Sequence, residues 1–64
     1  MEINLSTAQD YIIDYLENSG QDAGNWDTYE AAKDLRNICE MNEYTSYEQV
    51  EPDEFTELLK EHAL

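Results

Sequence analysis

Negative charge is the feature of this 64-residue sequence that most limits how it can fold. Sixteen residues are Asp or Glu and three are Lys or Arg, so the formal net charge is −13, and residues 1–32 contain no Lys or Arg. Like charges at this density oppose compaction because they repel each other, and each carboxylate must also stay hydrated. A folded form therefore needs elements that keep the carboxylates on one face and the apolar side chains on the other.

Apolar content favours a folded chain over a disordered acidic one. Hydrophobic residues make up 41% of the sequence and recur at helical spacing. The length predicts a single domain over residues 1–64, and no run reaches the roughly 18 apolar residues of a membrane span. Cys39 is the only cysteine, and Met1 to Ser6 does not have the form of a targeting segment. We therefore expect a cytoplasmic protein that does not bind membranes.

Capping patterns predict three helices. Ser6 to Gln9 has the form of a capping box and predicts a helix from Ser6 or Thr7 to about Asn18–Gly20. Asp27 to Glu30 is a second box, which opens a helix that ends near Asn42. Pro52 predicts the start of a third helix, which runs to about His62.

The predicted fold class is all-α, a small three-helix bundle. Ser46 to Gln49 could cap one extra short turn near residues 46–50. Cys39 is predicted to be small core filler, and His62 a partly buried packing residue. The predicted core lies on one face of each helix and consists of Leu5, Ile12, Tyr15, Leu16, Leu35, Ile38, Phe55, Leu58 and Leu59.

Two apolar residues of the first helix do not fit a monomer well. Tyr11 and Ile13 fall on the flanks of the predicted apolar face, and Ile13 is hard to bury among three short helices. A homodimer is therefore the alternative to a monomer.

Stripes of like charge mark the candidate binding face. Asp10 and Asp14, for example, are spaced i,i+4, which destabilises a helix by about 0.2–0.5 kcal/mol per pair. Repeated violations of a local rule are expected at functional surfaces. Tyrosines near loops are candidate interface anchors. The predicted partner-binding residues are Asp10, Asp14, Glu17, Asp27, Glu30, Asp34, Tyr44, Tyr47, Asp53, Glu57 and Glu61.

The charge points to a basic protein as the partner and argues against direct binding of nucleic acid. Carboxylates at i,i+4 are about 6 Å apart along a helix, and neighbouring stripes fill the gaps. Duplex DNA carries about one charge per 1.7 Å, so several stripes approach the field that a DNA-binding groove accepts. We expect the partner to be a protein that handles nucleic acid.

In size, charge and helical patterning, the chain resembles the small acidic proteins by which phages and plasmids disable host defence. These are the DNA-mimic anti-restriction and anti-CRISPR inhibitors. The resemblance is one of type, so no functional residue is carried over from those families. It implies an inhibitor that occupies the DNA channel of a nuclease or surveillance complex.

The sequence gives less support to other classes of function. No motif marks a catalytic residue, so we do not expect an enzyme. The loop from Ser19 to Glu30 resembles part of a calcium-binding EF-hand, but Ser19, Gln21 and Ala23 stand where that family has its first three ligands. We therefore predict no metal and no cofactor. The alternatives are an adaptor or antitoxin-like module that binds through an aromatic and apolar patch, and an acidic domain that buffers metal ions.

Overall fold

Three α-helices form a small bundle in the computed structural model, which describes residues 2–64. The helices are α1 (Leu5–Asn18), α2 (Thr28–Met41) and α3 (Pro52–Glu61). Short 3₁₀ turns at Ala23–Asn25 and Tyr47–Gln49 lie in the two connections. The predicted all-α three-helix fold is confirmed, and so is the extra turn near residues 46–50.

Helix α1 begins before the predicted start, because Asn4 is its N-cap. The Asn4 side chain accepts a hydrogen bond from the Thr7 N–H (2.9 Å), and Thr7 Oγ1 accepts one from the Asn4 N–H (3.1 Å). This reciprocal box satisfies two end donors of the helix. Thr7 Oγ1 also lies 2.6 Å from Tyr47 Oη, so a tertiary contact supports this cap. The predicted cap at Ser6 is wrong.

Helices α1 and α2 end in the same backbone motif, with one residue in the left-handed region. The residue is Gly20 (φ 79°) after α1 and Glu43 (φ 55°) after α2. In both cases its N–H and the following N–H donate to carbonyls of the last helical turn. Glycine adopts this conformation without strain, whereas the Cβ of a glutamate crowds the backbone.

Glu43→Gly is therefore expected to raise the free energy of unfolding by up to about 1 kcal/mol. The gain from relieving the left-handed strain exceeds the added freedom of the unfolded chain. The control is Glu43→Gln, which removes the charge and keeps the strain. Urea unfolding followed by circular dichroism measures both variants. Equal stability of the Gly and Gln variants would show that the conformation carries no strain.

The core lies among the three helices, and α1 packs mainly against α2. Its buried residues are Ala8, Ile12, Leu16, Ala31, Ala32, Leu35, Cys39, Tyr47, Val50, Phe55, Leu58 and Leu59. Ala8, Ala31 and Ala32 have no exposed surface, and such small side chains let helices approach closely. Burial raises the pKa of the Cys39 thiol, which suits the predicted role as core filler.

Three residues of the predicted core are placed differently. Tyr15 is 41% exposed, so its assignment to the core is wrong, and Leu5 and Ile38 are half-buried against the cluster. The face that α1 turns toward α2 is centred on Ala8, Ile12 and Leu16, which leaves Tyr15 at the edge beside Phe55. Tyr47 and Val50 fill the core instead.

The end of the chain closes onto the connection between α1 and α2. The Asp27 N–H donates to the His62 carbonyl (2.8 Å), and the Leu64 N–H donates to the Asn25 carbonyl (2.9 Å). The Asp27 side chain accepts from the Glu30 N–H as predicted. Because the Asp27 N–H is used by His62, the second capping box is only half formed. No helix within residues 2–64 has the length and apolar character needed to cross a membrane.

Candidate partner-binding surfaces

The first acidic surface runs along α1. Asp10, Asp14 and Glu17 are all exposed, and none of them forms an ion pair within residues 2–64. We call these three residues the α1 stripe. The structure leaves their carboxylates facing solvent, as the helical spacing predicts.

The second acidic surface is a hollow of about 290 Å³ between α2 and α3. Its carboxylates are Asp34 from α2 and Glu54, Glu57 and Glu61 from α3, and we call these four residues the acidic cleft. Asn37, Ile38 and Leu58 complete its lining. Three of the four carboxylates are predicted site residues. Glu54 was missed, although its spacing of three and seven residues from Glu57 and Glu61 places it on the same helical face.

Two carboxylates of the acidic cleft are already engaged, and one of them is Glu57, which lies 3.9 Å from Lys60. Asp34 Oδ2 lies 2.6 Å from His62 Nε2, which links α2 to the end of α3. His62 is half-buried, as predicted for a packing residue. Donor atoms of Asp34, Glu61 and His62 lie within 4.8 Å of one another, so in residues 2–64 they are the group that could hold a metal ion. The hydrogen bond between His62 and Asp34 is sufficient to explain why these two side chains lie together, without a metal ion.

The other predicted binding residues have varied environments. Asp53 is exposed in the first turn of α3, where a negative charge favours the positive end of the helix dipole. Glu30 pairs with Lys33 at 3.5 Å, and Asp27 is a half-buried cap. Tyr44 is half-buried against the core.

Tyr47 is a core residue and not an exposed anchor. Only 2% of it is exposed, and its hydroxyl donates to the Asn4 carbonyl at 3.2 Å. Its ring packs against Tyr11, with centroids 5.2 Å apart. The prediction of Tyr47 as an exposed interface anchor is therefore wrong. Its position near a loop did not reveal that this loop folds back over α1 and buries the ring.

An aromatic surface that sequence reasoning missed lies beside the α1 stripe. Tyr15 packs edge-on against Phe55 at 4.7 Å, and Tyr11 does so at 5.7 Å. Burial raises the pKa of the Tyr11 hydroxyl, and the negative charge of Glu48 and the neighbouring Tyr15 raise it further. The spacing of Tyr11 and Tyr15, which lie one helical turn apart and directly follow Asp10 and Asp14, was the available signal.

The few basic side chains lie on α2 and α3, each beside an acidic residue of its own helix. Lys33 lies 3.5 Å from Glu30, Arg36 lies 3.8 Å from Glu40, and Lys60 lies 3.9 Å from Glu57. All six side chains are at least 42% exposed, and such pairs contribute little to stability. They leave the α1 stripe without a neutralising partner in the described chain.

Added salt is expected to raise the melting temperature of the protein. Exposed pairs of like charge, such as Asp10 with Asp14 and Glu57 with Glu61, repel each other in the folded state, and ions screen that repulsion. Thermal unfolding at about 10 mM and 150 mM NaCl measures the effect, with sucrose at equal osmolarity as the nonionic control. A melting temperature that falls over this range would contradict the prediction.

Comparisons with protein-family models, curated proteins and solved structures found no match to this chain.

Proposed function

We propose that this protein is a stoichiometric inhibitor, not an enzyme. It binds a basic protein that handles nucleic acid, such as a CRISPR effector or a restriction nuclease, and its carboxylate stripes exclude the DNA. Such a protein acts in the cytoplasm, where its partner meets DNA. This role is the one implied by the phage and plasmid inhibitors that the chain resembles in type.

The density of negative charge carries this proposal. The longest dimension of the molecule is 29 Å, and a DNA duplex of that length carries about 17 phosphates. The chain carries 16 carboxylates and a net charge of −13. The protein therefore presents to the partner's DNA-binding groove a negative charge similar to that of a DNA duplex of the same length.

The distribution of the charge supports the same role. The α1 stripe and the acidic cleft present carboxylates from all three helices. Within residues 2–64 the α1 stripe forms no ion pair, and in the acidic cleft Lys60 lies 3.9 Å from Glu57. A folded scaffold holds these groups in place before binding, so less side-chain freedom is lost on association.

The adaptor function is the second candidate, and the aromatic surface beside α1 favours it. Tyr15 is 41% exposed and Tyr11 is partly so, and tyrosines supply rigid contact area at interfaces. In this case aromatic contacts would set the affinity, and the carboxylates would only raise the association rate.

The test is capture of partners on immobilised protein, followed by competition with DNA. The inhibitor function predicts that a basic, DNA-binding protein is retained at about 50 mM salt and eluted by about 500 mM. Saturating amounts of the inhibitor should then displace a fluorescent duplex from that partner at a ratio of one to one. A captured partner that still binds the duplex at saturation, or that resists elution by salt, would favour the adaptor.

A homodimer remains a prediction. Tyr11 packs against the core within one chain, whereas Ile13 is half-buried on α1. Sedimentation velocity at micromolar concentration, with Ile13→Asp as the comparison, distinguishes a dimer from a monomer.

A further inference from the structure

Two adjoining hollows lie on either side of Tyr11. One, of about 220 Å³, is lined by Thr7, Asp10, Tyr11, Asp14 and Tyr47. The other, of about 200 Å³, is lined by Tyr11, Tyr15, Tyr47, Glu48, Val50, Pro52 and Phe55. Together they form a groove with an aromatic floor and carboxylates on both rims. We call it the acid–aromatic groove.

All the charged residues that line this groove are acidic. Asp10 and Asp14 stand on one rim and Glu48 on the other, and all three are exposed. None of them forms an ion pair in the chain from residue 2 onward. The raised pKa of Tyr11, to which Glu48 contributes, is in accord with a negative potential between the rims.

Aromatic rings and carboxylates together select among cations. The guanidinium of arginine is planar and weakly hydrated, stacks on aromatic faces and donates two parallel hydrogen bonds to a carboxylate. The ammonium of lysine is compact and strongly hydrated, so it gains less from a ring that is partly shielded from water. The chain already holds one cation–ring contact, with Lys33 Nζ 4.8 Å from the Tyr29 centroid.

We propose that the acid–aromatic groove binds an arginine side chain from a basic segment of the partner protein, with the guanidinium on the exposed ring of Tyr15 and paired to Asp14 or Glu48. This inference rests on the proposed function for the basic character of the partner. It adds a preference for arginine over lysine. A second copy of this chain is not the occupant, because its one arginine, Arg36, already lies 3.8 Å from Glu40.

The test uses three tetrapeptides, of arginine, lysine and citrulline, with the native protein and three variants. Isothermal titration gives the dissociation constants, and backbone amide and tyrosine ring signals in NMR spectra locate the site. We expect the arginine peptide to bind about fivefold more tightly than the lysine peptide, and the uncharged citrulline peptide to bind most weakly.

The variants separate the groove from general charge attraction. Tyr15→Leu keeps an apolar cover over Phe55 but removes the ring, and it should abolish the preference for arginine. Asp14→Asn should weaken arginine binding at least threefold. Tyr29→Leu is the matched control, since Tyr29 is 48% exposed on α2 and lies outside the groove, and it should keep the full preference.

Three results would overturn the inference. They are equal affinity for the arginine and lysine peptides, equal effects of Tyr15→Leu and Tyr29→Leu, and shifts confined to residues of the acidic cleft. Each of these leaves the proposed function standing if the captured partner still loses its DNA. Conversely, arginine binding in the groove without displacement of DNA would remove the inhibitor function and keep the groove.

Discussion

Replacing Tyr47 with alanine is expected to lower the free energy of unfolding by about 3–5 kcal/mol. Tyr47 is one of the largest fully buried side chains, and its ring and hydroxyl join the second 3₁₀ turn to α1 through Tyr11, Thr7 and Asn4. A 64-residue domain has a total stability of about 3–10 kcal/mol. The variant should therefore lose at least about a third of the total stability and unfold outright at the lower end of that range, as urea titration monitored by circular dichroism would show.

Two matched variants identify the cause. Tyr47→Phe keeps the ring and loses only the hydroxyl contacts, so it should cost about 0.5–1.5 kcal/mol. Tyr29→Ala removes a tyrosine that is 48% exposed and should change stability by about 0.5 kcal/mol or less. A Tyr47→Ala protein as stable as Tyr29→Ala would show that Tyr47 is not part of the core. Loss of partner binding in Tyr47→Ala reports unfolding, not a lost contact.

Charge reversal on α1 is expected to weaken partner binding at least about tenfold, or roughly 1.4 kcal/mol. Asp10→Lys with Asp14→Lys replaces one pair of like charges by another, so the local helix energetics change little. Both residues are exposed and have no ion pair within residues 2–64, which leaves partner attraction as the main effect. The loss should be mostly in the association rate at low salt. Surface plasmon resonance with the captured partner measures it.

The same reversal at Glu57 and Glu61 tests the acidic cleft. The control is Glu40→Lys with Glu43→Lys, which changes the net charge equally at the exposed end of α2. Reversal of Asp34 is a poor test, because it also breaks the hydrogen bond with His62. Normal binding by both the α1 and the cleft variants would contradict the inhibitor function and leave the carboxylates as solvating surface.

The ends of a helix were predictable where a residue within one turn of the end determines them. Pro52 at the first position of α3 and Gly20 in the left-handed region act within one turn, so the start of α3 and the end of α1 were confirmed. The cap of α1 was not predictable in the same way. Asn4 and Ser6 offer similar local chemistry, and the contact of Thr7 with Tyr47 is a tertiary one.

The candidate site was predictable only in part. Helical periodicity alone places Asp10, Asp14 and Glu17 on one face of α1, and the structure leaves them exposed. The grouping of Asp34 with Glu57 and Glu61 needs the packing of α2 beside α3. Glu48 comes close to Tyr11 because the connection after α2 crosses over α1, which periodicity within one helix cannot show.

The sequence by itself determined the number and type of the helices, the negative surface and most of the core, because caps, periodicity and charge act over a few residues. The tertiary structure alone decided which tyrosine is buried. Tyr15 and Tyr47 have the same side chain, and their exposures of 41% and 2% follow from where α3 and the second 3₁₀ turn meet α1. That meeting depends on contacts between residues far apart in the sequence, such as Thr7 with Tyr47, which are 40 positions apart.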